Sequence, residues 1–259
     1  MIPKRIHYCW FGNKPIPDSV KKCIMSWKIN CPEYEIIRWD ESNYDINKIT
    51  FIKEAYQAKK YAFVSDYARL DIIYNNGGFY LDTDVELIKS LDRFCEDKCF
   101  MGCELPGKVA TGLGFGATKG STILKRNMDI YEKSSFYENG HQNSITCVEY
   151  TSNLLLEYGL KKSRDIQYLD SGNITIYPTE FFCPYNMITK KTTITNNTYS
   201  IHHYDATWYS ENILLKKWKK MILPMKVYLK RIVNSLFGEG IYEKIRNSLK
   251  RDLWKNMGF

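Results

Sequence analysis

The sequence has no apolar run near the roughly 20 residues needed to span a bilayer, so no membrane crossing is expected. It has no internal repeat and no low-complexity stretch, which argues against a solenoid or a mainly disordered chain. Its eight cysteines include no CxxC pair. No histidine stands at ligand spacing beside Cys95, Cys99 and Cys103, so their four-residue repeat is not expected to hold zinc. The first strand-like run starts so early that no targeting segment is expected, and the thiols read as reduced cysteines of a cytoplasmic protein. Net charge is missing before Glu211. Residues 211–259 hold 12 of the 37 Lys and Arg but only 4 of the 29 Asp and Glu, which accounts for the whole formal charge of +8. This argues against an extended nucleic-acid groove across the main domain.

What is present suits one α/β domain with an appendage. A chain of 259 residues with 44% hydrophobic residues can bury a sizeable core. Aromatics at 15% would suit a protein that stacks flat ligands, although most aromatics in any domain fill the core. Ile2 to Gly12 reads as a first strand, Asp18 caps a helix to about Asn30, and Tyr34 to Trp39 reads as a second strand. Strand, helix, strand predicts the start of a parallel sheet. From Ala58 to Asn76, Phe63, Tyr67, Leu70 and Tyr74 form one buried helical stripe that Gly77-Gly78 ends. Phe79-Tyr80-Leu81 then reads as a strand running into Asp82-Thr83-Asp84. Farther on come a run of Gly and small residues from Val109 to Thr118, helices over Ile123–Tyr131 and Ser144–Tyr158, and strands at Ile174–Pro178 and Thr198–Tyr204.

Asp82 and Asp84 stand at the C-terminal edge of a strand, where open α/β sheets bind ligands. Two residues apart, they project to one side of an extended chain. Mg²⁺ or Mn²⁺ takes one or two carboxylates plus phosphate oxygens and water, which fits a nucleotide diphosphate held beside this pair. Asp66 and Arg69 share a helix face three residues apart. Spacing does not choose between a surface ion pair and a grip on sugar or phosphate.

Phe63-Val64-Ser65-Asp66-Tyr67-Ala68-Arg69-Leu70 and Gly77-Gly78-Phe79-Tyr80-Leu81-Asp82-Thr83-Asp84 together resemble the DXD-containing sugar transferases of glycosyltransferase family 32. The resemblance extends to Ile6-His7-Tyr8-Cys9-Trp10-Phe11-Gly12, to Ile176-Tyr177-Pro178 with Phe182 and Pro184, and to His202-His203-Tyr204-Asp205-Ala206-Thr207-Trp208. That family includes bacterial capsule and lipooligosaccharide enzymes, and clostridial glucosylating toxins share its donor-site plan. The resemblance implies a GT-A-type α/β fold with a mainly parallel central sheet and retention of anomeric configuration. It implies that Trp10 stacks on the nucleobase, that Asp66 and Arg69 grip the donor sugar, and that Tyr80 lines the site. Asp82 would contact ribose or sugar, Asp84 the metal, and Trp208 would close over the diphosphate. Asp82, Asp84 and Arg69 would carry the chemistry. Thr207 stands where the family usually has Ser. His202 and His203 alternate across a strand, so only one faces the site; the resemblance puts His203 there as the second metal ligand. The implied donor is a UDP-sugar first and a GDP-sugar second, with Mn²⁺ or Mg²⁺.

The resemblance covers residues 1–210 and leaves 211–259 as a basic, amphipathic helical tail divided by Pro224. Apolar residues interleaved with Lys and Arg fit a helix in the headgroup layer of an anionic membrane, or one packed on its own domain. A lipid-linked saccharide or glycan acceptor, in cell-surface polysaccharide synthesis on the inner face of the membrane, suits the first placement. Two other readings are a catalytically decayed, membrane-docked scaffold and a metal-dependent phosphohydrolase.

Overall fold

The structure, a computed structural model, describes residues 1–138, 140–143, 145–186 and 191–204. In chain order its strands are β1 (Arg5–Cys9), β2 (Glu35–Trp39), β3 (Gly78–Tyr80), β4 (Val85–Leu87), β5 (Cys99–Leu105), β6 (Lys108–Ala117), β7 (Tyr137–Glu138), β8 (His141–Gln142), β9 (Gln167–Leu169), β10 (Ile174–Tyr177), β11 (Tyr185–Asn186), β12 (Lys191–Thr192) and β13 (Ser200–His202). The helices are α1 (Asp18–Asn30), α2 (Thr50–Gln57), α3 (Tyr61–Asn76), α4 (Thr122–Glu132), α5 (Cys147–Leu156) and the single turn α6 (Thr179–Phe182).

Seven strands form the central sheet in the order β2-β1-β3-β6-β5-β10-β9. β1 pairs in parallel with β2 and β3, and β5 pairs in parallel with β10, while β6 and β9 run against their neighbours. The pairings leave five of the seven strands pointing the same way, so the sheet is mixed but mainly parallel, as expected. Period-two alternation divides the core between its two faces. Tyr80, Met101 and Phe115 join Phe51, Tyr67, Leu70, Leu124 and Leu155 on one face; Phe79 and Phe100 join Trp27, Phe94, Tyr177 and Phe182 on the other.

α1 is fixed to β4 by polar bonds as well as packing. The Trp27 indole donates to Val85 O at 2.7 Å, Asn30 Nδ2 donates to Leu87 O at 3.0 Å, and Leu87 N donates to Ser26 Oγ at 2.9 Å. β4's other partner is β13, with His202 opposite Val85 and Ile201 opposite Glu86. The Leu81–Asp84 segment therefore bridges the central sheet and a separate two-stranded ribbon, with β13 brought alongside by chain more than a hundred residues later.

Several expectations shift by a few residues, each for a local reason. Pro17, not Asp18, occupies the N-cap of α1, and the Asp18 carboxylate pairs instead with Lys21 at 2.9 Å. The helix expected from Ala58 begins at Tyr61, because Lys59 takes a left-handed φ of 57° and separates α3 from α2, which the sequence pattern did not reveal. α3 is buried on more than one stripe: Val64, Tyr67, Ala68, Arg69, Leu70, Asp71, Ile72 and Ile73 are all enclosed, since the helix lies between the sheet and α2 and α4. The glycine-rich run is β6, a long strand inside the sheet, and the helix expected from Ser144 starts at Cys147 behind a Thr146/Glu149 capping box. Cys95, Cys99 and Cys103 do not converge: Cys95 belongs to one face of the core and the other two to the opposite face, and no disulfide joins any of the eight cysteines.

Candidate active site

β1 and β3 are parallel neighbours, so the residues that follow them, Trp10 and Leu81-Asp82, emerge at the same edge of the sheet. Leu81 N extends the pairing by donating to His7 O at 3.2 Å, and Asp82 N donates to Gly112 O of β6 at 3.2 Å. Val85 N then donates to Asp82 O at 3.0 Å and closes a turn around Thr83 and Asp84. The backbone of the Asp-Thr-Asp segment is thus fixed from both neighbouring strands.

Arg69 reaches this edge from α3 and is only 4% exposed. Its Nη2 lies 3.1 Å from Asp82 Oδ1 and 3.2 Å from Asp66 Oδ1, and its Nε donates to Ser65 O at 3.1 Å. The guanidinium stands 5.1 Å from the Tyr80 ring centroid, and the Tyr80 hydroxyl donates to the same Asp82 Oδ1 at 3.1 Å. The Asp66/Arg69 pair, for which spacing left two readings open, is therefore no surface ion pair. Burial pushes the Asp66 carboxyl up to about 6, against the pull of Arg69 and with the added repulsion of Asp82. Burial likewise raises Asp82, which Arg69 pulls down and Asp84 raises again.

Of the two histidines, His202 is the one that stands beside the aspartate pair. His202 Nε2 lies 3.1 Å from Asp84 Oδ1, and ligand atoms of Asp82, Asp84 and His202 all fall within 4.8 Å of one another. His203, the residue favoured from the sequence, faces outward and pairs with Glu86 Oε2 at 2.8 Å. The strand register explains the exchange: with His202 paired opposite Val85, alternation sends its neighbour to the other side of the ribbon. Burial alone would depress the His202 imidazole, but its hydrogen bond to the Asp84 carboxylate and the charges of Asp84, Asp82 and Glu104 outweigh it and raise it. The Tyr204 ring packs edge-on against His202 with centroids 4.1 Å apart, and its hydroxyl lies 3.0 Å from Cys183 Sγ.

Two carboxylates and one imidazole around a common point make a donor set that fits Mn²⁺ or Mg²⁺ and leaves further positions for phosphate oxygens and water. This is the only such cluster of His, Cys, Asp and Glu among the described residues. Trp10 is half-buried, and its indole N–H donates to Lys14 O at 2.7 Å. Trp208 lies outside the described residues.

Three participants were not singled out from the sequence. A side chain at Gly112 would collide with Asp82 Oδ2 and crowd Arg69 Nη1, so only glycine lets β6 pass this close to the carboxylate. Thr111 Oγ1 lies 3.5 Å from Arg69 Nη1, and Cys147 Sγ lies 3.9 Å from the same nitrogen. The glycine-rich character of 109–118 was a signal for the first. Nothing local marks the other two.

Residues 17–101 match the family model described as the glycosyltransferase sugar-binding region containing the DXD motif. No curated protein matches the chain. Among solved structures, the PaToxG glycosyltransferase is 18% identical over 60% of this chain and 68% of its own, with a TM-score of 0.48. A glycosyltransferase involved in the glycosylation of the major capsid of PBCV-1 is 11% identical over 77% of this chain and 93% of its own, with a TM-score of 0.46. The galactosyltransferase LgtC, solved in complex with donor and acceptor sugar analogs, is 13% identical over 82% of this chain and 94% of its own, with a TM-score of 0.34. The matched stretch, residues 17–101, includes the Asp82-Thr83-Asp84 segment, and there the chain is similar to the sugar-binding region of the DXD-containing glycosyltransferases.

Proposed function

We propose that the protein is a metal-dependent, retaining glycosyltransferase of family 32 type with a GT-A plan, moving a sugar from a nucleotide-sugar donor to a glycan or lipid-linked saccharide. The observation that carries this reading is the adjacency of two devices at one sheet edge: the Asp82/Asp84/His202 donor set, and the buried Arg69 shared by Asp66 and Asp82. Asp84 and His202 would hold Mn²⁺ or Mg²⁺, with His202 taking the place first given to His203. When bound, the cation supplies charge neutralisation for the departing diphosphate.

The chain's own groups do the rest. Arg69 is held by Asp66, Asp82 and the Ser65 carbonyl, so it needs little reorganisation as charge develops nearby. Asp66 and Asp82 keep carboxylate oxygens free of Arg69 that can accept from sugar or ribose hydroxyls. Trp10 would stack on the nucleobase and Trp208 would close over the diphosphate; a UDP-sugar is the first donor to test and a GDP-sugar the second.

Retention is supported by how the acids are engaged. Asp66 and Asp82 share Arg69 and are assigned to donor hydroxyls, and Asp84 pairs with His202, so none of the three is assigned as a base on an acceptor hydroxyl. In a front-face displacement the departing diphosphate oxygen accepts that proton, and no such base is needed. A phosphohydrolase would use paired carboxylates but has no need of the buried Arg69 grip.

Residues 1–210 would form the catalytic domain. The tail 211–259, outside the described residues, would place it on the inner face of an anionic membrane, as its charge and apolar content suggest. No helix among the described residues is long and apolar enough to cross a membrane.

A screen of nucleotide sugars for Mn²⁺- or Mg²⁺-dependent hydrolysis tests the reading. One donor turned over, and silenced by chelator, is the expected result; chelator-insensitive turnover or none across the panel counts against it. NMR of the first-formed glycoside then decides stereochemistry, with an α product from an α-linked donor supporting retention and a β product overturning it.

A further inference from the structure

The exits of β2, β1 and β3 lie side by side at the same sheet edge, because the three strands are parallel neighbours in that order. They deliver Glu41, the Trp10–Lys14 loop and Asp82 respectively. Glu41 is not among the residues assigned to the donor site, yet it is tied to the loop beside it. Its Oε1 accepts from the backbone N–H of Gly12 at 2.5 Å and from the Tyr56 hydroxyl of α2 at 2.9 Å. Its Oε2 is buried and has no partner among the described residues.

The loop is held from other directions too. Gly12 has a left-handed φ of 96°, and the Tyr61 ring fills the space where a side chain at this position would stand. Tyr61 in turn packs on Tyr56 with ring centroids 5.4 Å apart. Trp10 N donates to Trp39 O at 2.8 Å, and the indole N–H is spent on Lys14 O, within the loop itself. A carboxylate whose second oxygen is buried without a donor is a costly way to stabilise a surface loop. A charge-assisted bond to one backbone N–H does, however, fix that N–H more firmly than a neutral acceptor could.

We propose that Glu41 is the positioning residue of the nucleobase loop: by clamping Gly12 between β2 and α2 it holds the Trp10 indole where a nucleobase can stack. This rests on the nucleotide-sugar reading above. It acts through Trp10, so its signature is nucleotide affinity, not turnover at saturating donor and not metal binding.

The experiment measures binding of UDP and of GDP, each with Mn²⁺, to the full chain by calorimetry, at a temperature where every variant is folded by circular dichroism. For whichever nucleotide binds, Glu41→Leu should weaken Kd about tenfold and Glu41→Gln, which keeps an acceptor oxygen, about threefold. Mn²⁺ affinity without nucleotide and the rate at saturating donor should stay at wild-type values. A folded Glu41→Leu protein with wild-type nucleotide affinity overturns the inference, since a merely structural role would lower the melting temperature and leave Kd alone. Should Glu41→Leu fail to fold, Tyr56→Phe removes one arm of the clamp; a Kd weakened about threefold supports it and an unchanged Kd overturns it. A wild-type chain that binds neither nucleotide overturns the nucleotide-sugar reading and this inference together.

Discussion

Two aspartates in the middle of α3 are partnered differently. Asp71, 3% exposed, is saturated: Lys48 Nζ lies 2.7 Å from both carboxylate oxygens, the Tyr44 hydroxyl donates at 3.0 Å and Asn75 Nδ2 at 2.8 Å. Five residues earlier, Asp66 shares one arginine with Asp82 and takes a further hydrogen bond from the weakly donating Cys147 thiol. Burial, with the repulsion of Asp82, pushes its carboxyl up to about 6 against the pull of Arg69. Saturation marks an acid that holds the fold together. Incomplete partnering, at a sheet edge and beside a second carboxylate, marks one kept available for a ligand.

The comparison breaks most visibly through activity. Asp84→Asn keeps shape and loses charge, so donor turnover should fall about a thousandfold or more while the melting temperature stays close to wild type. Asp71→Ala should show the reverse: Lys48, Tyr44 and Asn75 lose their acceptor, stability drops by about 2–3 kcal/mol in urea titrations, and turnover in the folded enzyme is unchanged. Lost turnover in folded Asp71→Ala would erase the distinction between the two aspartates.

His7 sharpens it from below the site. Its Nδ1 accepts from the Trp39 indole at 3.0 Å and its Nε2 is buried with no hydrogen-bond partner among the described residues, so the neutral ring suits the fold and the charged ring does not. Burial holds it down at about 4, helped by the charge of Arg5 and opposed by the Gly77 backbone. Because the folded value lies below the unfolded 6.5, this contribution to stability is complete above pH 6.5 and is lost as pH falls from there towards 4. The loss should amount to about 2–3 kcal/mol by denaturant titration at pH 7 and pH 4.5, with a flatter profile in His7→Gln.

The smallest effect concerns Glu104, half-buried in β5 and within the field of His202. With Asp205 outside the described residues, it is a described acid outside the donor set that could serve an acceptor as base. Under retention, Glu104→Gln should change turnover by no more than about threefold, whereas loss of a general base costs a hundredfold or more.

Much of the site was legible because its parts are local. Strand β3 and the acids after it, the Asp66/Arg69 spacing and the strand carrying the histidines all lie in short stretches whose periodicity survives folding. What stayed hidden depends on pairing between distant segments. The choice of His202 over His203 follows from the β13/β4 register, which brings together residues more than a hundred positions apart. Gly112 matters because β6 passes against Asp82, and Thr111 and Cys147 because the Arg69 side chain extends towards them. α2 was missed because Thr50 to Gln57 is short and carries no side-chain cap at its start.

The central claim is that Asp84 and His202, beside Asp82, hold a divalent cation, and Mn²⁺ binding followed by electron paramagnetic resonance tests it without reference to turnover. In the presence of UDP or GDP the wild-type chain and Asp71→Ala should both deplete the free Mn²⁺ signal, and Asp84→Asn and His202→Ala should not; full depletion by Asp84→Asn would contradict the account.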